Sequence, residues 1–132
     1  MTTVLVVGAS RGIGESIARL LAAHGAHVVC TSRRLEGCER VADSIRAGGG
    51  SAQALAMHVG DPSAIEAVFA ALDAQQRTPS ILVNNAAATA GPIWQTRFLD
   101  LSREDWLYQF AVNVHAPFTL TQLVVPIMEA RG

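Results

Sequence analysis

The sequence predicts an α/β fold in which a doubly wound parallel sheet carries helices on both faces. Three observations predict it. Apolar runs rich in Val, Ile and Leu recur without polar alternation, the pattern of strands buried on both faces. Segments with apolar residues at helical spacing separate those runs, and the connections are short. No repeat, low-complexity tract or linker interrupts the 132 residues, so residues 1–132 are read as one domain.

The first strand, Thr3 to Val7, runs into Gly8. A helix follows from about Gly12 to His24, with Ile13, Ile17, Leu20 and Leu21 on one face and Gly25 placed to end it in a left-handed turn. His27 to Thr31 reads as the second strand. The second helix, about Leu35 to Ala47, spaces Leu35, Cys38, Val41, Ala42 and Ile45 helically and stops at Gly48-Gly49-Gly50. A third strand is expected over about Ala52 to Val59. Asp61 suits an N-cap with Pro62 at the first helical position, which opens a third helix to about Gln76. The fourth strand, Ser80 to Val83, delivers Asn84-Asn85-Ala86-Ala87 at its carboxyl end.

A loop with Gly91, Pro92, Trp94 and Phe98 follows. Its aromatics read either as one wall of an apolar pocket or as plain anchors of a surface loop. Ser102-Arg103-Glu104-Asp105 resembles a capping box and opens a long fourth helix towards Ala130, which Pro117 and Pro126 should kink or interrupt. Strand-helix alternation of this kind points to a Rossmann-like sheet.

Composition narrows the chemistry. Half of the residues are hydrophobic and 16% are charged, the profile of a globular domain. All ten basic residues are arginines and the single tyrosine is Tyr108. Without lysine there is no Walker-type phosphate loop, no Schiff-base lysine and no Tyr-x-x-x-Lys pair. Cys30 and Cys38 show no metal-ligand spacing and no signal peptide precedes them, so they are expected as reduced thiols in a cytoplasmic protein, with no metal site. A net charge of −1 with scattered arginines lacks the footprint expected for nucleic acid or an anionic membrane. No uninterrupted apolar run approaches the roughly 20 residues of a membrane span.

Gly8-Ala9-Ser10-Arg11-Gly12-Ile13-Gly14 lies between the first strand and the first helix, the context in which a glycine pattern marks a phosphate site. Gly8 permits a tight turn, Gly12 lets the backbone approach a pyrophosphate, and Gly14 lets the helix pack closely on the sheet. The helix N-terminus supplies free N–H donors and a partial positive charge.

The G-x-x-x-G-x-G spacing, Asn84-Asn85-Ala86 at the end of strand four and Asn113 in Val112-Asn113-Val114 occur in order along the whole chain. Together they resemble the N-terminal part of the short-chain dehydrogenase/reductase family, and more weakly an NADP-dependent carbonyl-reductase branch of it. Val7 stands where the family usually has a threonine whose hydroxyl ties the first loop to the strand-four end, and Ala87 stands where it usually has glycine. The resemblance implies strand order 3-2-1-4 and hydride transfer between a nicotinamide cofactor and a small-molecule carbonyl or alcohol. It places Asn85 and Ala86 beside the cofactor ribose. It gives Asn113 a catalytic-site role, holding a local helix distortion and a water.

About 20 residues past the glycine loop, where an NAD site usually offers a carboxylate, the chain reads Thr31-Ser32-Arg33-Arg34. Arginine forks suit a dianionic phosphate and Arg11 could approach the same group, so NADP(H) is expected over NAD(H). Arg34 reads equally as a solvated loop residue. His58 and Val59 stand where the family usually contacts adenine, and a neutral imidazole could accept from the adenine amino group. His58 reads as readily as an ordinary half-buried histidine.

The family's catalytic serine, tyrosine and lysine are expected after the fourth helix, and the chain stops at Gly132. Tyr108 lies upstream of Asn113 and is expected to pack at a helix surface. The chain is therefore read as the cofactor-binding part of an oxidoreductase, without its proton-transfer groups. Strand four would be an open apolar edge and the fourth helix would lack a neighbour, which predicts a homo-oligomer, dimer or tetramer. Two other roles stay open, a noncatalytic NADP-binding sensor and a scaffold that uses the open sheet edge.

Overall fold

In the computed structural model, which describes residues 1–88 and 95–132, four parallel strands form one sheet in the order β3-β2-β1-β4. The strands are β1 (Thr3–Val7), β2 (His27–Ser32), β3 (Ser51–Ala56) and β4 (Ile81–Asn84). Helices α1 (Gly12–Ala23), α2 (Leu35–Ala47) and α3 (Pro62–Ala74) alternate with them, and α4 (Arg103–Phe110) and α5 (Ala116–Glu129) follow.

The lack of alternation in β1 has a direct cause. Val4 and Val6 pack into a core with Ala18 and Ala22 of α1 and Val41, Ala42 and Ile45 of α2. Leu5 and Val7 point the other way, into a second core with Ile65, Val68 and Leu72 of α3 and Leu120 and Val124 of α5. Both faces of the strand are dry, so every position is apolar or β-branched. The register carries this across the sheet: Val6 stands opposite Cys30 and Val83, and Cys30 opposite Ala54. Cys30 and Cys38 are both buried free thiols, and burial pushes the Cys30 thiol up to about 12.

The helix signals act as expected. Asp61 accepts from the Ser63 amide at 2.9 Å with Pro62 in the first turn of α3. That amide and the Ser63 hydroxyl hold the Asp61 carboxyl below its usual range. Gly25 follows α1 at φ +85°, donating to Ala22 O, while Ala26 donates to Leu21 O.

Three expectations need correction. Ile13 and Leu20 of α1 are exposed, because the sheet-facing side of the helix is the small-residue row Gly14, Ala18 and Ala22, with Ile17 and Leu21 only flanking it. β3 ends at Ala56, not Val59, because β2 ends at Ser32. The last rung pairs Ser32 with Ala56, and the Met57 amide donates to Ser32 O. The fourth helix is three segments, since a π turn over Ala111–His115 joins α4 to α5. Pro117 lacks the N–H that would bond the Asn113 carbonyl in an α register, so the wider turn falls just before it. Pro126 sits in the last turn of α5 without ending it.

The rod Arg103–Glu129 is long enough to cross a bilayer, and an 18-residue window within it reaches a mean hydropathy of 1.3. One face, with Val112, Ala116, Leu120 and Val124, is committed to the second core. On the other, Leu107, Phe110, Val114, Phe118 and Val125 are exposed.

Candidate functional site

The carboxyl ends of β1 and β4 diverge into loops that leave the sheet on opposite faces, and a crevice opens where they part. A cleft of about 430 Å³ fills that position. Its floor is Val7, Gly8 and Asn85 to Ala88. One wall is Ser10 to Ile13, and the other combines Ser32 and Arg33 with Met57 to Val59, Tyr108 and Val112. Two of these side chains are arginines, and no carboxylate lines the cleft among the described residues.

The glycine loop is held from three directions. The Gly8 and Ala9 amides both donate to the Thr31 carbonyl, at 2.8 and 3.0 Å, which hooks the loop over β2. Arg40 of α2 donates through Nη2 to the Ser10 carbonyl at 2.8 Å. From the far side, Asn85 donates through Nδ2 to the Gly8 carbonyl at 2.9 Å. Asn85 thus makes the tie between first loop and strand-four end that a threonine at position 7 would otherwise supply.

Space accounts for two glycines. A Cβ on Gly14 would stand 2.0 Å from the Gly8 oxygen, so the close approach of α1 to the loop requires its absence. Gly12 has φ +59° and its missing Cβ faces nothing within 4 Å, so the backbone there is open to the cleft. The start of α1 carries no side-chain cap, which leaves its first N–H groups available to an anion. These features fit a phosphate-bearing dinucleotide.

The expected site residues are not all equally placed. Ser10, Arg11, Gly12 and Ile13 line the cleft, whereas Ala9 is buried behind it and Gly14 serves packing. Arg33 lines the cleft and Arg34 does not. Ser32 turns its hydroxyl away, donating to the Arg34 carbonyl at 2.7 Å and accepting from Cys38. The Cys38 thiol is raised by burial. His58 corrects one expectation. Its Nδ1 accepts from the Gly60 amide at 3.0 Å, which uses the single acceptor of a neutral imidazole and leaves Nε2–H as a donor.

Asn113 stands in the middle of the π turn, its Oδ1 accepting from the Ala88 amide at 2.9 Å and its Nδ2 donating to Gln109 Oε1 at 3.1 Å. It therefore pins the loop after β4 to the distorted helix. Trp94, Gly91 and Pro92 lie outside the described residues. Phe98, in a 3-10 turn over Phe98–Asp100, is 76% exposed and away from the cleft.

Tyr108 packs against the second core from the surface of α4, as expected, and in addition faces the cleft. Its hydroxyl accepts from Arg33 Nη1 at 3.1 Å, and its ring meets His58 edge to face at 6.2 Å. Helical spacing brings Val112 to the same wall, and a common face at positions 108 and 112 was the available signal. Arg40 and Met57 gave no comparable signal.

The family described as short chain dehydrogenase matches residues 2–132 of the chain. The 3-oxoacyl-(acyl-carrier-protein) reductase of Escherichia coli is 36% identical over 124 residues, covering 94% of this chain and 48% of that protein. A solved metagenomic short-chain oxidoreductase in complex with NADP superposes with a TM-score of 0.87 at 36% identity, covering 98% of this chain and 57% of that one. L-Sorbose reductase from Gluconobacter frateurii, solved with NADPH and L-sorbose, gives 0.90 at 29% identity, covering 99% and 49%. The chain spans about half the length of the curated relatives it matches.

Proposed function

Because the chain belongs to the short-chain dehydrogenase family, we propose that it is the dinucleotide-binding portion of an oxidoreductase that moves a hydride between NADP(H) and a carbonyl or alcohol. When bound, the nicotinamide supplies or receives that hydride. The observation that carries the cofactor choice is the cleft wall. Arg11 and Arg33 line it with no acidic residue among the described lining, a surface that attracts a ribose phosphate and offers no carboxylate to the 2′-hydroxyl of NAD.

In this reading the residues divide the work of binding and orienting. The backbone from Gly8 to Gly14, with Ala9 and Ile13 setting its path, presents the N-terminal N–H groups of α1 to the pyrophosphate. Arg33 and Arg11 take the ribose phosphate, and Arg34 and Ser32 support the turn that aims Arg33. His58 donates from Nε2 to the adenine ring while Val59 forms an apolar wall. Asn85 and Ala86 form the floor beside the second ribose, and Asn113 holds that floor in place through Ala88. No proton-transfer role falls to Tyr108, whose hydroxyl accepts from Arg33, and the 132 residues contain no lysine.

Binding without turnover is expected from this chain alone. Calorimetric titration with NADP+ and NAD+ at one ionic strength tests the assignment. Charge-assisted hydrogen bonds to the extra phosphate should make NADP+ about tenfold tighter or more. Tighter binding of NAD+ would refute the preference. Binding of neither would favour the scaffold role. For the whole protein we propose a homo-oligomer, supported by the exposed apolar face of α4 and α5, and a cytoplasmic location, supported by the two buried free thiols.

A further inference from the structure

Arg33 and Tyr108 are 75 positions apart, and their contact bridges the end of β2 and α4 across one wall of the cleft. Arg33 leaves the end of β2 and is exposed, so its long side chain would ordinarily spread over many rotamers. Tyr108 reaches towards it from α4 and is half-buried, its ring braced edge to face against His58 at an interplanar angle of 75°. The phenol oxygen takes one N–H of the guanidinium, and the other four have no partner among the described residues. A carboxylate in that place would also hold the arginine, but it would cancel its charge and compete with an incoming anion. A neutral hydroxyl fixes the direction of the fork and leaves the charge intact.

We propose that Tyr108 is a positioning residue that presets the Arg33 guanidinium for the phosphate on the adenosine ribose, and thereby sets how strongly NADP(H) is preferred over NAD(H). This rests on the reading that the cleft binds a dinucleotide. Preorganisation lowers the ordering cost that Arg33 pays at binding, so the effect belongs to the phosphorylated cofactor alone.

Tyr108→Phe keeps the ring, its contact with His58 and the cleft wall, and deletes only the acceptor. Kd values for NADP+ and NAD+ are measured by calorimetry for the 132-residue wild type, Tyr108→Phe, Arg33→Ala and the double variant, with urea midpoints confirming that each folds. The expected result is a rise of about fivefold in Kd for NADP+ in Tyr108→Phe, the worth of one such hydrogen bond, with NAD+ changed less than about twofold. In the Arg33→Ala background the same change should have no further effect on NADP+. An unchanged ratio of the two affinities in Tyr108→Phe, an equal loss for both cofactors, or a persistent loss without Arg33 overturns the proposal. If the wild type binds neither nucleotide, the cofactor reading fails first and this inference fails with it.

Discussion

Gly14→Ala forces a methyl group into a contact with no room for it. The added Cβ would lie 2.0 Å from the Gly8 oxygen, 2.6 Å from Asn85 Nδ2 and 2.9 Å from the Gly8 carbonyl carbon. Ordinary contact begins at 3.4 Å, so the start of α1 must withdraw from the loop by about 1.4 Å. The two nearest groups are the partners of the Asn85–Gly8 hydrogen bond, so the tie between loop and strand-four end is strained as well. Overpacking costs about 1–3 kcal/mol and the lost hydrogen bond about 1 kcal/mol, giving about 2–4 kcal/mol in all. Gly12→Ala is the matched control. It meets nothing within 4 Å and has only a left-handed φ of +59° to bear, which costs about 1 kcal/mol. Urea unfolding followed by circular dichroism separates the two. With a slope of about 1.5 kcal/mol/M, the midpoint should drop about 1.3–2.7 M for Gly14→Ala and about 0.7 M for Gly12→Ala. Cofactor affinity should rank the other way per unit of lost stability, because the Gly12 methyl enters the space left for phosphate. Equal midpoints for the two variants would refute the packing argument.

Two further outcomes follow from burial and exposure. His27 is buried, with Nδ1 bonded to Ser51 Oγ at 2.7 Å and Nε2 without a partner among the described residues, and burial followed by the charge of Arg77 lowers its pKa below 6.5. The unfolded chain therefore binds a proton that the folded one resists, so the stabilisation present above pH 6.5 is lost as pH falls from there through the folded pKa. The urea midpoint should drop between pH 7.5 and 5.5, and drop less in His27→Gln; parallel profiles would exclude His27 as the cause. Phe118 is 63% exposed in the apolar stripe of α4 and α5, so Phe118→Glu should shift the chain towards monomer in sedimentation, and an unchanged distribution would place the interface elsewhere.

Much of the fold was legible because each strand has a local reason to be a strand. Val4 to Val7 are apolar on both faces, and Asp61-Pro62 opens a helix by its own chemistry. What failed was set by a partner. Met57 to Val59 continue the apolar run of β3, yet pairing stops where β2 stops. The glycine loop and Asn85 were readable as motifs, whereas Asn85's bond to Gly8 and the removal of His58 Nδ1 by Gly60 depend on distances that spacing does not encode. The packing of Tyr108 was legible but its bond to Arg33 was not, since that contact exists only after β2 and α4 are brought together.

The glycine loop is among the earliest parts of the chain, yet the group that holds its carbonyl, Asn85, arrives 77 residues later. Until β4 has paired with β1, the loop has its turn and its helix but no opposing floor. Closing so long a loop is an entropic cost met late in folding. Nucleotide capture thus becomes a sensor of complete sheet assembly: a chain emerging from synthesis should stay blind to its ligand through three strands and three helices, and acquire affinity only when the fourth strand docks.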